Sequence, residues 1–153
     1  MASRQLVIFK VNNEDFGVEI SQVSSIEKPL EIFQIPNSPD YIEGLINLRG
    51  KVHTIFNLRK KFNFPSKEWD DNTKIVVTNI NNINLGFIVD EVNEIMKIED
   101  DSIEKTPGVI DCVDREYLKG IVKLEDKLVL LLDLSRVLTA SESAAVEKLQ
   151  MNN

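Results

Sequence analysis

Residues 11–28, VNNEDFGVEISQVSSIEK, align without gaps on residues 80–97, INNINLGFIVDEVNEIMK, and this internal likeness constrains the fold more than any other feature of the chain. The pairing sets Asn12 on Asn81, Asn13 on Asn82, Gly17 on Gly86, Val23 on Val92, Ile26 on Ile95 and Lys28 on Lys97. A second block, GLINLRGKVHTIFNL at 44–58, aligns on GIVKLEDKLVLLLDL at 120–134 and pairs Gly44 with Gly120, Leu48 with Leu124, Lys51 with Lys127 and Leu58 with Leu134. The two blocks keep the same order, at offsets of 69 and 76, so the second copy carries a connection seven residues longer, placed around KTPGVIDCVDREY. A chain that repeats a unit in this way is expected to build two related bodies.

Each copy reads as β. LVIFKV, FGVEI, GLINL and KVHTIF match KIVVTNI, LGFIV, GIVKL and KLVLLL as short runs of Val, Ile, Leu and Phe divided by Asn, Asp and Gly. The Asn12-Asn13 and Asn81-Asn82 doublets sit where hairpins would turn, because Asn tolerates positive φ. Strands this short and regularly spaced predict small barrels or a sandwich. Asn57 and Asp133 stand at matching positions, where each is expected to cap a single helical turn. The whole chain, 1–153, then reads as one domain with subdomains at 5–66 and 75–138 and a polar linker, PSKEWDDNTK, at 65–74. The linker's Trp69 is expected to fold its ring over a barrel end, and TASESAAVEKLQMNN predicts a C-terminal helix over about 139–150.

Chemistry is sparse. A formal net charge of −7, with acids and bases intermixed, argues against nucleic acid or anionic lipid as partner. Cys112 is the only cysteine, which excludes an internal disulfide. No apolar run approaches the roughly 20 residues that span a bilayer. His53, the only histidine, lies inside an apolar strand run and reads as structural. Glu99, Asp100 and Asp101 could supply paired carboxylates, but a hydrated loop is the simpler reading. Motifs for metal, phosphate or dinucleotide binding are missing, so neither catalysis nor a cofactor is expected.

One copy also serves as a control for the other. Positions shared by both copies, namely Gly17 and Gly86, Gly44 and Gly120, and Leu48 and Leu124, are expected to be turn and core residues. Gly50 is expected to make the turn after Asn47-Leu48-Arg49, where the twin copy has Asp126. Arg49 opposes Glu125, so the turn itself does not require a guanidinium. Arg49 is therefore either a surface ion pair or a fork of donors for a partner's carboxylate or carbonyls. Val23 with Ile26, and Val92 with Ile95, are three apart among polar residues. Each pair makes a narrow apolar stripe if the segment is helical or strongly twisted; such a stripe is either buried in the core or, if the two meet at the crease between the copies, part of a groove suited to a partner's amphipathic helix.

EGLINLRGKVHTIFNLRKKF, together with FGVEISQVSSIEK, LGFIVDEV and LKGIVKLEDKLVLLLDL in that order, resembles the CheW family of bacterial chemotaxis proteins over about residues 5–138. The resemblance implies two packed five-stranded SH3-like β-barrels and a non-catalytic adaptor joining methyl-accepting chemotaxis receptor tips to the regulatory domain of the histidine kinase CheA. It implies a cytoplasmic protein at receptor arrays on the inner face of the membrane, without insertion. By motif position it implies receptor binding through Arg49 and the neighbouring Asn47, with Val23, Val92 and Ile95 on or near a receptor groove, to which the stripe adds Ile26. Where the family often has an acidic partner for the arginine, this chain has Ser25, and Glu27 is the nearest acid and is expected to orient Arg49. The strand after NLRG also departs from the family's aliphatic, proline-containing pattern, reading Lys51-Val52-His53-Thr54. Alternatives are a CheW-like regulatory domain of a kinase or receiver fusion, and an enzyme or small-ligand carrier.

Overall fold

The computed structural model describes residues 3–80, 82–104, 117–124 and 126–136. The expected C-terminal helix, Cys112, Glu125 and most of the longer second-copy connection lie outside these residues. The strands are β1 (Ser3–Val11), β2 (Glu14–Glu19), β3 (Val23–Glu27), β4 (Ile42–Leu48), β5 (Lys51–Asn57), β6 (Lys74–Ile80), β7 (Ile83–Val89), β8 (Glu91–Glu99), β9 (Ile103–Glu104), β10 (Leu118–Lys123) and β11 (Leu128–Leu132), with one short helix, α1 (Leu58–Lys61). Two-residue turns close the β1–β2 and β6–β7 hairpins. Asn12 and Asn13 adopt φ of 55° and 64°, and Asn82 adopts 66°, the left-handed backbone that Asn accepts at little cost. Asn57 caps α1 by accepting from the Lys60 amide at 3.3 Å, and Asp133 accepts from Ser135 N at 3.1 Å ahead of the single turn Leu134–Arg136. The two copies close alike.

The strands form two sheets, ordered β8-β1-β2-β11-β10-β9 and β3-β6-β7-β5-β4. This is the mainly β, paired SH3-like arrangement that the family resemblance implies, with six strands instead of five in one of the two sheets. The division between subdomains is corrected. Instead of 5–66 and 75–138, the five-stranded sheet is built from β3 to β7, within residues 23–89, and the six-stranded sheet from β1 and β2 together with β8 to β11. Each copy gives its first hairpin to the sheet that holds the rest of the other copy. The linker at 65–74 consequently joins two parts of one sheet instead of two barrels. The exchange is reciprocal: β2 runs parallel to β11 with Gly17 opposite Leu131, and β7 runs parallel to β5 with Gly86 opposite Ile55.

Pseudo-twofold correspondence extends to the irregularities. Register shifts fall between Val23 and Ser25 on β3 and opposite Ile8/Phe9 on β8, and again between Ile42 and Gly44 and between Leu118 and Gly120. The two-residue β9 on β10 answers an isolated bridge from Phe33 to Leu45. Among the five glycines expected to serve turns, only Gly50, whose twin is Asp126, lies in a turn, at φ 82°. Gly17 and Gly86 lie within strands, and a Cβ on Gly86 would come within 2.6 Å of Ile55 Cδ1. Gly44 and Gly120 lie beside the bulges, where a Cβ would meet the carbonyl oxygens of Phe33 at 2.3 Å and Glu104 at 2.5 Å. At these four positions the absent side chain permits close backbone or core approach.

Strand alternation divides the apolar residues among three cores. Leu6, Ile8, Val129 and Leu131 fill the interior of the six-stranded barrel, and Ile46, Ile55, Ile75 and Val77 fill that of the five-stranded one. The intervening residues, including Val7, Phe9, Phe16, Phe56, Val76 and Phe87, meet in a third and largest core at the seam between the barrels. Strands β1, β5, β6, β7 and β11 are thus buried on both faces, which explains their nearly uninterrupted apolar runs.

Candidate protein-binding seam

Strands β3 and β8 are edge strands of the five- and six-stranded sheets respectively. Cross-strand partners share a face. Val23 pairs with Thr78 and Ile26 with Val76, while Val92 pairs with Phe9 and Ile95 with Val7. Val76, Phe9 and Val7 belong to the seam core, so all four stripe residues lie on the seam face of their sheets. In a regular strand, residues three apart would point to opposite faces. The extra residue of the bulge, Ser24 in β3 and Asn93 in β8, restores a common face. The expectation of a helical or twisted stripe is met by a bulged strand. Val23 and Val92 pack against the seam core, whereas Ile26 is 36% exposed and Ile95 55% exposed.

Arg49 stands in the β4–β5 turn with φ 53°, beside Gly50 at 82°. Leu48 faces Lys51 across it, which makes a two-residue hairpin of type I′, a turn that favours Asn or Gly at its first position. Asn47, expected at the receptor site, serves the turn: its side-chain oxygen accepts from Gly50 N at 3.1 Å. The Arg49 Nη2 lies 3.6 Å from Glu27 Oε2 on β3, an ion pair too long for a hydrogen bond, and the arginine side chain is 72% exposed. Because β3 and β4 are the two ends of the five-stranded sheet, this contact also shows that the sheet curls on itself. Lys127 and Glu94 make the equivalent link in the other sheet at 3.8 Å. A cation from the last hairpin therefore reaches the edge strand in both barrels, and what is particular to Arg49 is a guanidinium left largely open to solvent. Ser25 Oγ is buried without a hydrogen-bond partner among the described residues.

Other polar groups have structural employment. His53 is buried, facing Ile46 across the β4–β5 hairpin, with Nδ1 3.2 Å from the Lys51 carbonyl oxygen; burial pushes its imidazole below the usual range. Asp100 accepts from Arg4 Nε at 2.7 Å, and that bond holds its carboxyl below the ordinary value. Arg4 also meets Glu19 at 2.6 Å, and Glu19 meets Lys119 at 2.8 Å, so the acidic turn is part of an ion-pair network. Among the described residues, no group of three or more His, Cys, Asp or Glu side chains could hold a metal ion, and no helix is long and apolar enough to cross a membrane. Trp69 is 41% exposed and lines an open recess of about 430 Å³ with Glu43, Asn57, Lys60 and Lys67. Sequence reasoning missed the half-buried pair of Arg59 and Asp90, 2.7 Å apart. Its signal was present in the repeat, which sets Arg59 against Ser135 and Asp90 against Ser21.

The chain matches the CheW-like domain model over residues 5–142. It is 34% identical over 139 residues to the chemotaxis protein CheW of Bacillus subtilis, covering 91% of this chain and 89% of that protein. It is 31% identical over 144 residues to the chemotaxis protein CheW of Klebsiella aerogenes, covering 94% and 87%. The crystal structure of the scaffolding protein TtCheW from Thermoanaerobacter tengcongensis superposes with a TM-score of 0.85 at 31% identity, over 93% of this chain and 92% of that one. With the paired barrels, the shared seam and these similarities in agreement, the chain belongs to the CheW-like domain family of chemotaxis scaffold proteins.

Proposed function

We propose that this protein is a non-catalytic cytoplasmic adaptor that couples methyl-accepting chemotaxis receptors to the histidine kinase CheA at receptor arrays. One observation carries the reading: two apolar stripes, Val23 with Ile26 and Val92 with Ile95, share the seam face of two edge strands, and Arg49 is tethered through Glu27 beside Ile26. Apolar side chains graded from packed to exposed, with a charged group at the rim, suit the apolar face of an amphipathic helix such as a receptor tip presents. The exposed guanidinium adds donors for main-chain carbonyls or carboxylates of that helix. The kinase is expected to dock elsewhere, on barrel ends, so that both partners are held at once in fixed geometry. No cofactor takes part.

The test is a sizing column run with the protein, the CheA regulatory domain and a receptor cytoplasmic fragment, which should co-elute as a ternary complex. Arg49→Ala should weaken receptor capture by about tenfold, the loss of a partly desolvated charge-assisted contact, and leave kinase capture intact. A protein that binds neither partner, or an Arg49→Ala variant with undiminished receptor affinity, would refute the assignment.

A further inference from the structure

Among the described residues the chain passes from one sheet to the other twice, and the two crossings are built differently. The first, Ile20–Gln22, is a single 3₁₀ turn without a side-chain cap. Gln22 Oε1 there, and Ser25 Oγ just beyond it, are buried without hydrogen-bond partners among the described residues. The second crossing is Asp90 alone, between β7 and β8. Its amide donates to the Lys10 carbonyl at 2.9 Å, and its Oδ2 accepts from the Asn12 amide at 2.8 Å, both in the six-stranded sheet's β1–β2 hairpin. From the five-stranded side, Arg59 on α1 donates Nε to Oδ1 at 2.9 Å and Nη2 to Oδ2 at 2.7 Å. Its Nη1 donates to the Pro65 carbonyl at 2.7 Å. Arg59 and Asp90 side chains are only 14% and 17% exposed.

The repeat acts as an internal control. Serines occupy both twin positions, Ser21 and Ser135, so the barrel fold itself does not require this ion pair. A bidentate guanidinium–carboxylate pair fixes orientation as well as distance. Burial opposes the charge on Asp90, yet Arg59 and the Asn12 amide outweigh it and keep the carboxyl below its ordinary range. One crossing is thus clamped to the β1–β2 hairpin and to α1, and through Arg59 to Pro65, while the other is under-bonded.

We infer that Asp90 and Arg59 are a fixed pivot between the two sheets, that the Ile20–Gln22 crossing is the compliant side, and that the pair thereby sets the separation of the β3 and β8 stripes. Asp90 is in this sense a positioning residue, and its consequence for receptor capture rests on the adaptor reading above. A pinned separation presents both stripes to one helix at once, whereas a loosened one must be ordered upon binding, which weakens affinity without removing any contact.

Nitroxide labels at the two exposed bulge residues, Ser24→Cys and Asn93→Cys, in a Cys112→Ser background, report that separation by pulsed electron spin resonance with no partner present. The double variant Arg59→Ser/Asp90→Ser copies the twin crossing and leaves no unpaired buried charge. The expected result is a narrow distance distribution in the parent and a broadened one in the double variant. Labels at Ser24 and Lys51, both within the five-stranded sheet, should keep their distribution. Receptor affinity of the unlabelled double variant should fall about tenfold, with kinase affinity retained. If the double variant does not fold, Asp90→Asn, which keeps the shape and removes the charge, is read instead. An unchanged Ser24–Asn93 distribution in a folded variant overturns the inference, as does equal broadening within the five-stranded sheet. Failure of the parent protein to bind receptor would remove the adaptor reading alone, because the distance measurement needs no partner.

Discussion

Arg49 occupies backbone that an arginine adopts only under strain. At the equivalent point of the β1–β2 hairpin the chain uses Asn12, which enters the left-handed region readily. Arg49→Asn is therefore expected to raise stability by about 1 kcal/mol, read as a higher urea midpoint at unchanged m, while lowering receptor affinity. A variant that loses stability would place the arginine in the service of the turn. The proposed receptor role of this residue was drawn from one contrast, Arg49 against Glu125, together with the family motif. Glu27, expected to orient it, lies 3.6 Å away, a distance that makes a loose tether of the pair. Asn47, grouped with the receptor site by its place in the motif, has its side-chain oxygen engaged by the turn. Motif membership does not distinguish a residue that meets a partner from one that shapes the loop presenting it.

At the scale of the element, the bulges and glycines carry most of the information that period alone obscures. Val23 and Ile26 are spaced as on a helix, and only the inserted Ser24 lets a strand place them together. Nothing in one strand's composition announces a bulge, because the extra residue is defined by its pairing partner. The glycines rank by what surrounds them. A Cβ on Gly44 meets a carbonyl oxygen at 2.3 Å, at φ 145°; on Gly86 it meets side-chain ends at 2.6 and 2.8 Å; on Gly17 the nearest atom is at 3.1 Å. Substitution by Ala should accordingly cost about 3 kcal/mol or more at Gly44, about 2 at Gly86 and about 1 or less at Gly17. Chemical denaturation of the three variants checks the order, and a Gly17→Ala loss equal to that of Gly44→Ala would contradict it.

For the whole molecule, the reciprocal exchange of hairpins makes the barrels interdependent. A fragment of residues 1–66 lacks β6 and β7, which form the middle of the five-stranded sheet, and a fragment of residues 67–153 lacks β1 and β2 of the other. Each alone is expected to give no cooperative thermal transition, whereas an equimolar mixture should recover sheet circular dichroism and a single transition. A cooperatively folded half on its own would show that the exchange is dispensable. The sequence alone determined the class of the fold, the duplication and the hairpin turns at the asparagines, because these rest on local backbone preference and on short apolar runs that each segment carries within itself, and it pointed to the family through the resemblance of its motifs. Only the tertiary structure decided which hairpin belongs to which barrel, that the stripes share a seam, and that Asp90 and Arg59 meet across it. Two copies with the same alternation present equivalent strand edges, so local pattern satisfies either pairing equally; the choice is made by the connections and by contacts between residues far apart in the chain.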